Sequence, residues 1–254
     1  MYKALTKEHW VKHLWLSNDY KIDAMICYGS YNVEKYTTLF LSILDELNIS
    51  YEKEVIPYPF LEPITSVLIN GKRIWFTTNY GGSMLCEFLH LACLFWSQKN
   101  ILIGSCGGLS NEVEAGDIII PTYTYGDESS TRMYNRSWDK KQQSNASLSA
   151  SLEQRLWDKY TIFHKQLITC SAMLGETWED IQQWSKEWYY GVEMESSTVF
   201  AVSNHFNVPS AALIYMSDNL IKEQIVWDES HAKQKPVRES MQKKLLQVAI
   251  EEIA

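Results

Sequence analysis

The chain has 254 residues, 46% apolar and 21% charged, the length and balance of a globular protein able to bury one sizeable core. Its net charge of −8, with no basic tail, gives a nucleic-acid partner no electrostatic support. No run reaches the roughly 18 apolar residues of a membrane span, and the N-terminus MYKALTKEHWVKHLWL lacks the apolar stretch of a signal peptide. Five scattered cysteines without a C-x-x-C read as reduced thiols of a cytoplasmic protein, not as a disulfide framework or zinc site.

In chain order, Ala24–Tyr28 (AMICY) reads as a buried strand ending at Gly29-Ser30, followed by a helix over 34–47. Residues 67–69 and 74–78 flank Asn70-Gly71, a hairpin signal because both central turn positions favour φ > 0. The largely apolar segment 83–96 predicts a helix buried on most sides. Residues 101–104 form a strand running into Ser105-Cys106-Gly107-Gly108, and 117–120 another strand, stopped by Pro121. The polar segment 126–147 is expected to be an irregular surface loop. Helices are predicted near 148–159 and 176–187, with a strand near 167–172 between them. A helix from Ser196, a strand over 211–216 and a closing helix over 236–253 complete the chain. Alternating β and α units predict an α/β fold, a mainly parallel sheet covered by helices on both faces, within one domain over 1–254.

In such sheets ligands bind beyond the carboxyl ends of the strands, where Gly29, Ser105, Glu195 and Asp218 all fall. The segment 191–219 holds three carboxylates (Glu193, Glu195 and Asp218) at the ends of apolar runs. Carboxylates are costly to bury unpaired. This pattern suits a polar ligand with several hydroxyls and a group that needs a proton. On a strand, Glu193 and Glu195 would share one face with Met194 opposite. A bend there would set Met194 beneath a sugar and Glu195 on its hydroxyls. Alternatively both glutamates cap the following helix, for which Ser196 and Ser197 are good N-cap residues. The Ser105–Gly108 turn offers free backbone N–H groups to an anion or a planar ring, or is simply a tight turn. Asp218 is a candidate general acid if burial raises its pKa, and otherwise a turn-initiating aspartate. The six histidines have no metal-ligand spacing.

With these motifs the chain resembles the nucleoside phosphorylase-I family of purine nucleoside and uridine phosphorylases and their nucleosidase relatives. The segments GVEMESS (191–197), IGSCGGL (103–109), GDIIIP (116–121) and DESST (127–131) are similar to family motifs in the family's order, as is Ser217-Asp218. The resemblance implies a three-layer α/β/α fold with a mixed, mainly parallel central sheet. It implies that Glu195 holds the ribose hydroxyls with Met194 under the sugar, and that Gly29 and Ser105 contact phosphate. Cys106, Gly107, Cys170, Ser171, Val192, Glu193 and Ser217 would surround the base, and Asp218 would protonate purine N7. No metal or organic cofactor is implied, only inorganic phosphate as co-substrate. A homo-oligomer is expected: a dimer, trimer or hexamer.

One departure bears on the reaction. The family's phosphate-binding arginines fall where this chain has Val33, Phe60 and Leu102. Losing them weakens phosphate binding at roughly 1.5–3 kcal/mol per charged hydrogen bond. Lys35, Arg132 or a neighbouring subunit are the candidates to compensate, and His9 and His13 those for a histidine lent to a neighbour's 5′-hydroxyl. The expected activity is phosphorolysis of a purine nucleoside by a pentosyltransferase, yielding base and ribose 1-phosphate. The alternatives are hydrolysis of the same bond and nucleoside binding without catalysis.

Overall fold

A computed structural model of the chain describes all residues except 59, 60, 138, 157, 158 and 227, and leaves aside the side chain of Ser230. Phe60 therefore lies outside the described residues, as does part of the helix expected over 148–159.

After a short helix α1 (Lys7–His13), the chain enters the sheet at β1 (Ala24–Gly29), then forms α2 (Val33–Glu46). Three strands follow: β2 (Glu52–Ile56), β3 (Ile64–Ile69) and β4 (Lys72–Asn79). The β3–β4 hairpin turns on Asn70 and Gly71, both at positive φ (52° and 79°), as their residue types predict. Next come α3 (Gly82–Leu94), β5 (Asn100–Gly108), β6 (Ile118–Ile119) and β7 (Tyr123–Gly126). The segment expected to be irregular instead contains α4 (Ser129–Tyr134) and β8 (Lys141–Gln143). Glu128 explains α4: its side chain accepts from Thr131 N and caps the helix, so a polar sequence still nucleates a turn. Then come α5 (Ala146–Gln154), β9 (Ile162–Phe163), β10 (Leu167–Thr169), α6 (Trp178–Lys186) and β11 (Gly191–Glu193). The chain closes with α7 (Ser196–His205), β12 (Ser210–Asn219), α8 (Glu229–Lys233) and α9 (Lys235–Ile253).

Among the described residues twelve strands form one mixed, mainly parallel sheet whose main path runs β2-β3-β4-β1-β5-β11-β10-β7-β8. β5 is its hub, parallel to β1 and β12 and, through Gly107 and Gly108, antiparallel to β11. Period-two alternation assigns the two faces. Met25, Cys27, Leu102, Ala212 and Ile214 pack towards α3 and α7. Ile26, Tyr28, Ile101, Ile103 and Leu213 pack towards α2, α5 and α9. Phe40 of α2 stacks on Phe76 of β4 at 4.5 Å, and burying a ring of that size contributes roughly 1.5–3 kcal/mol. The result is the helix–sheet–helix sandwich expected from the order of elements. Among the described residues no helix is long and apolar enough to cross a membrane.

Candidate active site

The carboxyl ends of β1, β5, β11 and β12 open into a single cleft of about 230 Å³. Gly29 ends β1 there, and Ser105, Cys106 and Gly107 form its β5 wall. Val192, Glu193, Met194 and Glu195 come from β11 and the step into α7, and Ser217 and Asp218 from β12. β12 carries a bulge at this point: Met216 pairs with Cys106 and Asp218 with Gly107, leaving Ser217 as the extra residue. An inserted residue reverses the side-chain alternation beyond it, which brings Asp218 to the cleft.

Glu193 and Glu195 do not share a strand face. β11 stops at Glu193, and Glu195 occupies the N-cap position of α7 at φ −130°, ψ −36°. Glu193 turns inward and accepts from Glu195 N (2.9 Å), Ser196 N (2.7 Å), Ser196 Oγ (2.6 Å) and Thr169 Oγ1 (2.5 Å). The capping role thus belongs to Glu193 alone, and Ser196 and Ser197 are helical residues instead of caps. Glu195 Oε1 accepts from Gly81 N at 2.6 Å, at the N-terminus of α3. Gly81 has φ +81°, which presents that N–H at little steric cost. A Cβ on Gly29 would lie 2.9 Å from Glu195 Oε2, so only glycine leaves the carboxylate its place. Met194, half-buried, lines the cleft beside it.

Burial sets the protonation of these groups. Desolvation, then the neighbouring Glu193, pushes the Glu195 carboxyl up to about 8. Burial also raises Glu193, opposed by its four donors. Asp218, 4% exposed, is raised by desolvation, opposed by the Ser217 hydroxyl and more distantly by His231 and Arg238. Ser217 Oγ lies 2.5 Å from Asp218 Oδ1 and 3.2 Å from Cys106 O. Burial beside Glu193 and Asp218 keeps the Cys106 thiol protonated, which makes it wall and not nucleophile.

Cys170 and Ser171 do not line the cleft. Strand β10 ends at Thr169, Ser171 is exposed, and Cys170 Sγ donates to Glu176 Oε1 at 3.0 Å. Glu176 stands in the cleft in their place, its carboxyl raised by burial and by Asp218. Tyr31 and Tyr80 line the mouth, their rings edge-to-face at 6.4 Å. No spacing pattern points to these three residues, because loops far apart in sequence deliver them; the positions of Tyr31 and Tyr80 just past the parallel strands β1 and β4 are the usable signals.

Among the described residues no Lys, Arg or His lines the cleft, whereas four carboxyl groups do. Val33 begins α2, and Leu102 is buried in β5. Lys35 Nζ is 3.1 Å from Gln242 Oε1, and Arg132 pairs with Asp127 at 3.2 Å, so neither replaces the missing arginines. Arg73 pairs with Glu54 and Arg155 with Glu252, while Arg238 donates to His231 O. His9 is tied to the N-cap of α1 through Thr6.

The model of the phosphorylase superfamily matches residues 83–250, which spans Ser105, Glu195 and Asp218. The chain belongs to the phosphorylase superfamily. A purine nucleoside phosphorylase DeoD-type from Clostridium beijerinckii is 26% identical over 136 residues, 50% of this chain and 54% of that protein. This superfamily member therefore spans about half the length of the curated relative it matches. Uridine phosphorylase from Vibrio fischeri superposes with a TM-score of 0.73 at 13% identity, covering 92% of this chain and 93% of that one. A mutant of Helicobacter pylori MTAN with 5′-methylthioadenosine in the active site gives 0.70 at 16% identity, covering 91% and 98%. Futalosine hydrolase of Helicobacter pylori gives 0.69 at 16% identity, covering 91% and 97%. At such identities these likenesses establish the superfamily fold and nothing finer.

Proposed function

We propose that the chain, acting as one domain, cleaves the N-glycosidic bond of a purine nucleoside in this cleft, with water as the acceptor. The carrying observation is that Asp218 and Glu195 line one cavity with two further carboxyl groups and, among the described residues, no cation. A raised Asp218 is the proton donor a departing purine needs at N7. As the C1′–N9 bond breaks, positive charge develops on the ribose, and Glu193, whose ionised form is held by four donors, favours it electrostatically. Glu195, with one oxygen turned towards Gly29, is placed to accept from the ribose hydroxyls while Met194 packs under the ring. Water then adds to C1′, and its proton leaves to a cleft carboxylate, giving free base and ribose.

Water is favoured over phosphate because a dianion would enter a site lined by carboxyl groups with no fixed positive charge among the described residues. Phosphorolysis is the second reading, supported by Ser105 on the β5 wall of the cleft and by the likeness to a purine nucleoside phosphorylase. It requires a cation from another subunit of a homo-oligomer. Release of base from inosine and adenosine with and without phosphate tests both. Phosphate-independent release is expected; strict phosphate dependence overturns the choice of acceptor. Binding without release overturns cleavage.

A further inference from the structure

We propose that the cleft continues past Asp218 into an apolar subsite for a nonpolar substituent at the 6-position of the leaving purine. This rests on the cleavage reading for its orientation. A groove of about 580 Å³ shares Met173, Glu176, Asp218, Leu220 and Val226 with the cleft. Beyond them its walls are Leu174, Trp178, Ile181 and Ile225, with Thr177 and Glu223 at the polar edges. None of the sugar-side residues Gly29, Ser105, Met194 or Glu195 touches it, so it extends from the leaving-group end.

The cleft alone, about 230 Å³, is smaller than the roughly 300–1,000 Å³ of small-molecule sites; the joined space falls well inside that range. Five groove residues (Met173, Leu174, Trp178, Ile225 and Val226) are large apolar side chains left exposed, Leu174 at 84%. Contiguous exposed apolar surface of this kind marks a binding site. The walls are pre-formed. A capping box between Thr177 and Asp180 fixes the start of α6 and hence Trp178. Asn219 Oδ1 accepts from Ile221 N and Lys222 N and holds the opposite wall.

The chemistry of the purine selects the substituent's position. N7 and the 6-substituent share one edge of the ring, whereas C8 lies on the sugar side of N7. With Asp218 on N7, a group on the exocyclic nitrogen therefore points into the groove. A singly substituted amine keeps one N–H, which Glu176 accepts. Among the described residues the groove has no Lys, Arg or His, so it suits an aliphatic or aromatic group and not a phosphorylated one.

Calorimetric titration of the full chain with 7-deazaadenosine and its N6-benzyl derivative measures the subsite without turnover, because neither has an N7 to protonate. Release of base from adenosine and N6-benzyladenosine is followed in parallel. The benzyl compound is expected to bind at least about tenfold more tightly. Trp178→Ala should remove most of that preference, and Ile225→Ser is the substitute should Trp178→Ala not fold. Equal affinities overturn the subsite whether or not base is released. Tighter binding of the benzyl compound without release of base retains the subsite and sinks the cleavage reading instead. Equal affinities together with a dimer that Leu174→Asp dissociates in sedimentation would assign the groove to a second copy of the chain.

Discussion

Two carboxylates meet the first turn of α7 and end in opposite states. Glu128, carried by the loop before α4, points its Oε1 at Thr131 N (3.2 Å), Ser130 Oγ (3.3 Å), Ser197 Oγ (3.0 Å) and the hydroxyls of Thr131 and Thr198. These donors all meet one oxygen and tie α4 to α7, while Oε2 is buried without a hydrogen-bond partner and Glu128 lies away from the cleft. Glu195 is no more exposed, at 6% against 8%, yet it lines the cleft, with Oε1 on Gly81 N and Oε2 facing Gly29. Burial alone therefore does not mark a functional carboxylate. Each carboxylate has one oxygen against a glycine, Gly126 for Glu128 and Gly29 for Glu195. Hydroxyl donors on neighbouring helices make the first structural, and a place on the cleft wall makes the second available. The structural one also serves the other, because Glu195 is the N-cap of α7.

The sharpest way to break this contrast is at the proton donor. Asp218→Asn preserves shape and removes the acid, and should lower the rate of release of a purine base by about 10²–10⁴-fold. Near-normal kcat would remove Asp218 from the chemistry. Next in size, Glu128→Ala removes the shared acceptor of one N–H and four hydroxyls in a buried site and leaves the hydroxyls only one another, a loss of about 2–4 kcal/mol in urea denaturation. A loss below about 0.5 kcal/mol would mean that these short contacts do not hold α4 on α7. Smaller again, Glu195→Ala should raise KM for the nucleoside by roughly 3–30-fold, the worth of one or two hydrogen bonds. An unchanged KM would take the ribose away from Glu195.

How far the amino-acid sequence shows this differs between the same two regions. Strands β1, β5 and β12 are runs of apolar residues, so the sheet follows from local pattern. But β5 and β12 run on to Gly108 and Asn219, past their expected ends at 104 and 216. Ser105–Gly108 are therefore paired strand and not a free turn, and Ser105 and Asp218 sit within the strands. The Asn70-Gly71 turn is equally local. The roles of Glu193 and Glu195 are not, because a two-residue spacing places both on one face only if the strand continues, and here it ends between them. Helix α4 is hidden for a related reason. Its six residues, SSTRMY, have almost no apolar stripe, and it is held by a carboxylate and by hydroxyls from α7, far along the chain. Glu176 and the Tyr31–Tyr80 pair arrive on separate loops, so their meeting belongs to the tertiary structure. The DESST segment is similar to a family motif, but nothing in that likeness indicates that its glutamate is a brace.

The smallest expected effect is on stability against pH, and it tests the state of Glu195 without any substrate. The Glu195 carboxyl has an ordinary value of 4.5 and is pushed up to about 8 in the fold, chiefly by desolvation. With the folded value above the unfolded one, the stability it contributes is complete below about pH 4.5. It is lost progressively as pH rises through about 8, because ionisation is easier in the unfolded chain. The unfolding temperature of the ligand-free protein should therefore fall between about pH 5 and pH 9 at fixed ionic strength. Glu195→Gln cannot ionise, so its profile should be flatter, the two curves diverging by several degrees at the alkaline end. Asp218 is raised in the same direction and leaves a residual slope in the variant. Parallel curves would mean that Glu195 is already charged in the folded protein at neutral pH, and that an open oxygen and a glycine neighbour do not suffice to keep a buried carboxyl protonated.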